Sequence, residues 1–195
     1  MKRPRPVPSA FHAIRERLAA REAARVEAPG VMETAVSLVL TPGERGLEAL
    51  FIRRAVRADD PWSGHVALPG GRREAADADR FATAVRETAE EVGVDLDASL
   101  LLGVLDDLHP ATPRLPPLVI RPFVFGLERR PETRLSDEVA GVEWVALEDL
   151  AACAGKAVIG FEGGSREVDC FRPRGLVIWG LTYRILRGFL PLAAA

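Results

Sequence analysis

The segment between Leu68 and Val94 constrains the chain more than any other. It reads Leu68-Pro69-Gly70-Gly71-Arg72-Arg73-Glu74-Ala75-Ala76-Asp77, then eight residues, then Arg86-Glu87-Thr88-Ala89-Glu90-Glu91-Val92-Gly93-Val94. Phe81, Ala84, Val85, Thr88 and Val92 recur at helical spacing, which predicts a helix from Asp79 to Val92 with a core-facing stripe and Gly93 as its terminator. On that helix Glu87, Glu90 and Glu91 stand at i, i+3 and i+4, so three carboxylates share one face. Like charges at this spacing repel by roughly 0.2–0.5 kcal/mol per pair, a cost that a bound cation removes. Carboxylate oxygens without imidazole or thiolate partners suit hard ions, Mg²⁺ or Mn²⁺. Arg86, four residues before Glu90, is placed to hold that acid in one rotamer. The paired glycines let the backbone approach without a β-carbon in the way. Glutamate-rich helix faces are ordinarily just solvated. The double glycine, Asp77, the spacing from Arg86 to Glu91 and the closing glycine together argue for a built site.

At 195 residues with 48% hydrophobic content, the chain can bury one good core, and a single domain over 1–195 with a helical extension at 1–30 is expected. Its 26 basic and 28 acidic residues leave a charge of −2. No overall field argues for nucleic acid or for an anionic membrane, so an anionic substrate must be met locally. Cys153 and Cys170 lack metal-ligand spacing and are expected to be reduced, packed thiols. The basic start, Lys2-Arg3-Pro4-Arg5-Pro6, is followed by no apolar run of the kind a secretory signal needs, so a cytoplasmic location is expected. Gly175 to Ala195 is apolar but interrupted by Arg184 and Arg187, which predicts a core-packing helix in place of a membrane span.

Along the chain, Phe11, Ile14 and Leu18 predict an amphipathic helix from about Ala10 to Val26, ended by Pro29-Gly30. Ala35–Leu40 and Ala49–Arg53 read as strands joined by a turn, and His65–Leu68 as a short strand stopping at Pro69. Leu100–Leu105, Val119–Leu127 and Val142–Val145 follow as strands, Pro122 being best tolerated at an edge or bulge. A short helix is expected near Leu147–Cys153 and a last one over about Leu176–Leu190. Helices inserted between strands predict an α/β or α+β sandwich, with helices on both faces of a mixed sheet.

The Gly71 to Val94 segment resembles the Nudix box. Gly71 stands at its first glycine, Asp77 at its first acid, and Arg86, Glu87, Glu90, Glu91, Gly93 and Val94 match the remainder. Asp77 replaces the usual Glu, the gap to Arg86 is eight residues instead of seven, and Thr88 stands where the family carries a bulky aliphatic. The Asp and the longer gap are similar to the coenzyme A pyrophosphatase branch. The resemblance implies the Nudix α/β/α sandwich and metal-dependent attack of water on a diphosphate linkage. It implies Glu87, Glu90, Glu91 and the Gly70 carbonyl as metal ligands and Arg86 as an organiser. The family recruits its general base from different places; Glu87 and Glu138, from Ser136-Asp137-Glu138-Val139, are both candidates.

Upstream, Leu50-Phe51-Ile52-Arg53-Arg54-Ala55 and Gly64 are similar to the extended signature of that branch, although Asp59-Asp60-Pro61-Trp62-Ser63 fills the interval where a second arginine is expected. Ile178-Trp179-Gly180-Leu181-Thr182 resembles its carboxy-terminal helix. Arg54, Arg57, Arg72 and Arg73 are candidates to meet an extra phosphate, and Trp62 to stack on a base or cover a pantetheine arm. Structural roles are favoured for His65 and His109. The expected partner is a small nucleotide substrate, coenzyme A or an acyl derivative, with ADP-ribose, a dinucleotide or a nucleoside triphosphate as alternatives; a homodimer is allowed. A non-catalytic nucleotide sensor or an isomerase on the same fold ranks below these, since all three glutamates are present.

Overall fold

The structure, a computed structural model, describes residues 9–57, 62–110, 116–161 and 164–194. Asp59, Asp60 and Pro61 lie outside the described residues. The elements in chain order are α1 (Ser9–Ala19), β1 (Met32–Gly43), β2 (Gly46–Arg54), β3 (Val66–Ala67), β4 (Gly70–Arg72), α2 (Arg80–Val92), β5 (Leu101–Val104) and β6 (Leu118–Gly126). β7 (Val139–Ala146), α3 (Leu147–Ala152), β8 (Ala154–Phe161), β9 (Gly164–Phe171), β10 (Ile178–Trp179) and α4 (Gly180–Ala193) complete the order.

One sheet runs β3-β2-β1-β6-β5, with β4 on β1 and β7 on β2; a second, three-stranded one runs β10-β9-β8. β1 and β6 are parallel and their other partners antiparallel, so the main sheet is mixed. Strand alternation sends side chains to two cores. Leu38, Leu40, Phe51, Ile120 and Val124 meet Phe11, Ile14 and Leu18 of α1 and Ile185, Leu186 and Phe189 of α4. Ala35, Val39, Leu50, Ile52, Phe123 and Phe125 meet Ala84 and Val92 of α2 on the other face. Burying a side chain such as Phe11 or Ile14 contributes about 1.5–3 kcal/mol, which holds a short helix that would not persist alone. The layers are helix, mixed sheet, helix, as the sequence predicts.

α1 is shorter than its sequence suggests. The apolar stripe stops at Leu18, and downstream backbone groups bond elsewhere: Ala24 N–H donates to Asp106 Oδ1 at 2.7 Å and Val26 N–H to Asp107 Oδ2 at 3.0 Å. Those carboxylates replace the bonds a longer helix would make. The tail also differs. Its helix begins at Gly180, because Ile178 and Trp179 pair with Phe171 and Cys170 of β9. The ribbon of β8 and β9 was missed, although Gly163-Gly164 between two short runs is a hairpin signal.

Pro122 is not on an edge strand. It sits in β6 between β1 and β5, where its carbonyl accepts from Leu105 N–H at 3.0 Å just past the end of β5. The N and C=O of one strand residue point to the same side. The N–H that proline lacks is therefore subtracted from the fringe of β5, and the long β1–β6 ladder keeps its bonds.

Thr88 faces the sheet where an aliphatic would be expected. Its hydroxyl lies 2.8 Å from Ser37 Oγ of β1 and 2.7 Å from the Ala84 carbonyl, which Ser37 Oγ also approaches at 3.1 Å. Ser37 and Thr88 are fully buried, and with the Ala84 carbonyl as acceptor the two hydroxyls form one satisfied network.

Candidate active site

α2 carries the glutamates, and its ends are fixed by the residues the sequence singles out. Asp79 caps the start by accepting from Ala82 N–H at 2.8 Å. Gly93 closes the helix at φ 68°, its N–H donating to the Ala89 carbonyl. The next segment folds back onto the last turn: Arg134 N–H donates to the Val92 carbonyl at 2.8 Å and Ser136 N–H to the Glu91 carbonyl at 3.1 Å. These bonds satisfy terminal carbonyls and bring Glu138 towards the acids of α2.

The loop ahead of the helix is pinned by Asp77 and Arg86. Arg86 Nε and Nη2 donate to the two Asp77 oxygens at 3.0 Å each, and Nη2 also to the Arg72 carbonyl at 3.0 Å. Asp77 is buried and also accepts from Glu74 N–H and the Thr83 hydroxyl. Arg86 and these donors hold its carboxyl well below the usual carboxylate range. Asp77 thus serves as the anchor of Arg86. The third guanidinium nitrogen, Nη1, reaches Glu90 Oε2 at 2.8 Å and Glu87 Oε1 at 3.1 Å.

The structure brings Glu87 and Glu91 together against the glycine turn and leaves Glu90 exposed beside Arg86. Glu91 is buried, with Oε2 accepting from Gly70 N–H at 2.9 Å. Glu87 packs so closely on Gly71 that a β-carbon there would come within 2.4 Å of Oε1. Gly70 has φ 148° and lies so near β1 that a β-carbon would stand 2.2 Å from the Ala35 carbonyl oxygen. Gly70 is therefore required both by close approach to backbone and by its backbone conformation, whereas at Gly71 a side chain would displace the carboxylate end of Glu87.

Burial pushes Glu91 up to about 7, against the Gly70 N–H, with the Glu87 and Glu138 charges adding to the rise and Arg54 opposing it. Glu87 is also raised, first by burial, with Arg86 working against the shift. Glu138 bears on both acids, and its Oε1 lies 3.5 Å from Arg57 Nη1 in an exposed pair.

A cleft of about 1070 Å³ opens on the other side of the glycine turn, lined by Gly70, Gly71, Arg54, Trp62, His65 and Trp179 among others. Val36 and Ile120 in its floor point away from α2, so cleft and helix lie on opposite faces of the sheet. The two meet where Gly70 and Gly71 put no side chain between them. His65 stands edge-on to Trp179 at 5.0 Å and to Trp62 at 6.0 Å, and the two indoles are 6.0 Å apart. Of the predicted substrate residues, Arg54 and Trp62 line the cleft, whereas Arg57 sits at Glu138 and the Arg72 side chain is exposed outside it. Arg73 is held by Glu33 at 2.6 Å and by the Asp77 and Ala78 carbonyls. His109 Nδ1 lies 2.7 Å from the Leu118 carbonyl, a packing role. Trp179 and the charged residues of β8, β9 and α4 were missed as site residues.

The Nudix domain model matches residues 32–160. The chain belongs to the Nudix family. Over 93 residues it is 34% identical to the mitochondrial coenzyme A diphosphatase NUDT8 of Mus musculus, an alignment covering 47% of this chain and 43% of that protein. Over 175 residues it is 29% identical to the chloroplastic Nudix hydrolase 22 of Arabidopsis thaliana, covering 79% and 53%. The chain spans about half or less of the length of these curated relatives. The fold is similar to the crystal structure of a MutT/nudix family protein from Enterococcus faecalis, with TM-score 0.57, 17% identity and coverage of 89% and 66%. Among the described residues no helix is long and apolar enough to cross a membrane.

Proposed function

We propose that this chain hydrolyses the diphosphate bond of a nucleoside diphosphate derivative, using Mg²⁺ or Mn²⁺ held by Glu87, Glu90, Glu91 and the Gly70 carbonyl. The substrate is coenzyme A or an acyl-coenzyme A, split by water into 3′,5′-ADP and the phosphopantetheine half. The observation that carries this reading is the gathering of Glu87 and Glu91 behind a side-chain-free glycine turn that opens on a large cleft. Likeness to the coenzyme A diphosphatase and the Ile178-Trp179-Gly180-Leu181-Thr182 segment support the substrate.

The residues fit a hard divalent ion. Their donors are carboxylate and carbonyl oxygens, and Glu91 is a buried acid that accepts from the Gly70 N–H, an arrangement in which burial makes the anion costly until a cation stands beside it. Among the described residues no three acids, histidines or cysteines already stand as a cage, because Glu90 is turned to Arg86. Such an ion, when bound, supplies charge neutralisation at phosphate oxygens and a more acidic water. The protein's own groups do the rest. Asp77 fixes Arg86, Arg86 holds Glu87 and Glu90 in register, and Gly70 N–H orients Glu91. Glu138, set beside the acids by the folded-back segment, takes the water's proton on its carboxylate.

The test is a panel of coenzyme A, ADP-ribose, dinucleotides and triphosphates assayed with each metal. Coenzyme A is expected to give the highest kcat/KM; absence of metal-dependent turnover of every member overturns the hydrolase reading. Glu138→Gln is expected to lower kcat by about 10²–10⁴-fold, the contribution of a positioned base. A near-normal rate removes Glu138 from that role.

Metal affinity is expected to depend on pH through Glu91. With its folded pKa raised to about 7 above the model-peptide range, the metal-free protein holds a proton there that the unfolded chain has released. That stability is fully present below the unfolded value and is lost as pH rises through about 7. A metal must displace the same proton, so its apparent affinity rises by about tenfold per pH unit below that value and levels off above it. Calorimetric titration of Mg²⁺ or Mn²⁺ at several pH values checks this, and a flat profile refutes it.

A further inference from the structure

The lining of the cleft carries basic residues that the diphosphate chemistry at the glycine turn does not explain. α4 carries Arg184 and Arg187 three residues apart on one face, in a helix whose sequence contains no acid. Two cations at that spacing repel. Both are exposed, both line the cleft, and neither forms an ion pair among the described residues. Arg187 is steadied by the Tyr183 ring, 5.9 Å from its Cζ. Arg166 of β9 lines the same cleft, also without an ion pair among the described residues.

Most of the acids nearby are already engaged. Glu167 pairs with Lys156 at 2.6 Å, and Asp169 sits opposite Lys156 in the ribbon. A second cavity of about 320 Å³ shares Arg184 and Arg187 as lining and includes Asp106 and Asp107. Asp106 is taken by Arg21 and Ala24 N–H, and Asp107 by Arg25, Arg80 and Arg121. Three guanidinium groups therefore face a cleft near the upper end of the size range of small-molecule pockets, with Glu167, Asp106 and Asp107 spent elsewhere and Asp169 set against Lys156 across the ribbon. Guanidinium forks match phosphate geometry and bind a dianion by charge-assisted bonds.

We propose that Arg166, Arg184 and Arg187 form a distal anion subsite that takes a phosphomonoester carried by the substrate itself, so that diphosphates bearing this extra phosphate are selected over those lacking it. The proposal rests on the hydrolase reading above and names the substrate class of that same site.

Two measurements on the full chain test it. The first is the ratio of kcat/KM for coenzyme A over dephospho-coenzyme A, which differ by one phosphomonoester. The ratio is expected to fall by about tenfold to a hundredfold in the Arg184→Gln/Arg187→Gln double variant, the size of one or two charge-assisted bonds. The second is equilibrium binding of adenosine 3′,5′-bisphosphate, AMP and inorganic phosphate with a chelator present. The bisphosphate is expected to bind wild type more tightly than AMP, and the double variant is expected to lose that advantage. This arm needs no turnover, so an inactive protein that shows it overturns the hydrolase reading and leaves the subsite standing. An active protein with an unchanged ratio and unchanged binding overturns the subsite alone. Binding of inorganic phosphate that depends on these arginines, with no advantage of the bisphosphate over AMP, also overturns it, since the anion is then a free one.

Discussion

Replacing Glu91 by Gln is expected to lower kcat/KM by about 10³-fold or more while leaving the fold intact. The amide oxygen of Gln can still accept from Gly70 N–H, so the contact that places residue 91 survives. What is lost is a negative charge in a water-poor position, where an ion–carboxylate interaction is far stronger than in bulk solvent. Removing one oriented polar group from a catalytic site commonly costs 10²–10³-fold, and a metal ligand adds the loss of occupancy. Two readouts separate this from simple damage: the thermal midpoint of the metal-free variant should match or exceed that of wild type, because an acid disfavoured as an anion has been neutralised, and the stabilisation conferred by added Mn²⁺ should shrink. A variant retaining more than about a tenth of wild-type activity at saturating metal would refute the assignment.

Gly70→Ala is expected to be the most damaging single substitution for stability near the site. At φ 148° an L-residue is strained, and the new methyl would meet the Ala35 carbonyl oxygen at 2.2 Å and the Val36 Cα at 2.6 Å. Both contacts are backbone atoms of β1, a strand paired on both sides, so neither can yield cheaply. Strain and clash together are expected to cost about 2–4 kcal/mol, which for a chain this long lowers the melting midpoint by about 5–15 °C. Thermal unfolding by circular dichroism measures it directly. Loss below about 0.5 kcal/mol would mean that the turn can rearrange, and the close packing of turn on strand would not be what holds it.

The helix with its three glutamates, its cap at Asp79 and its stop at Gly93 was legible because periodicity and capping are local properties. So was the sandwich, since the near-continuous apolar runs of β1, β2 and β6 mark strands covered on both faces. The use of Asp77 was less legible. Its place in the motif suggested an acid of the site, but only the folded loop shows both its oxygens taken by Arg86. The early stop of α1 depends on Asp106 and Asp107, some eighty residues away, and no local pattern announces it. Pro122 misled for the same reason: whether a strand is central, and which neighbour ends beside it, is decided by topology. The β8–β9 ribbon escaped because both its faces are largely exposed, which leaves a weak hydrophobic pattern. With it went Arg166, and the basic lining of the cleft is assembled from elements far apart in the sequence.

The pair of hydroxyls at Ser37 and Thr88 makes two positions far apart in the sequence a single energetic unit. An apolar residue at either one takes a buried partner from the other and leaves it the Ala84 carbonyl alone, whereas changing both together gives an ordinary hydrocarbon contact between helix and sheet. The two substitutions are therefore expected to be non-additive, each single change disturbing a contact that the double change replaces as a whole. The threonine in the glutamate helix is thus less a local oddity than one half of a choice shared with the central strand.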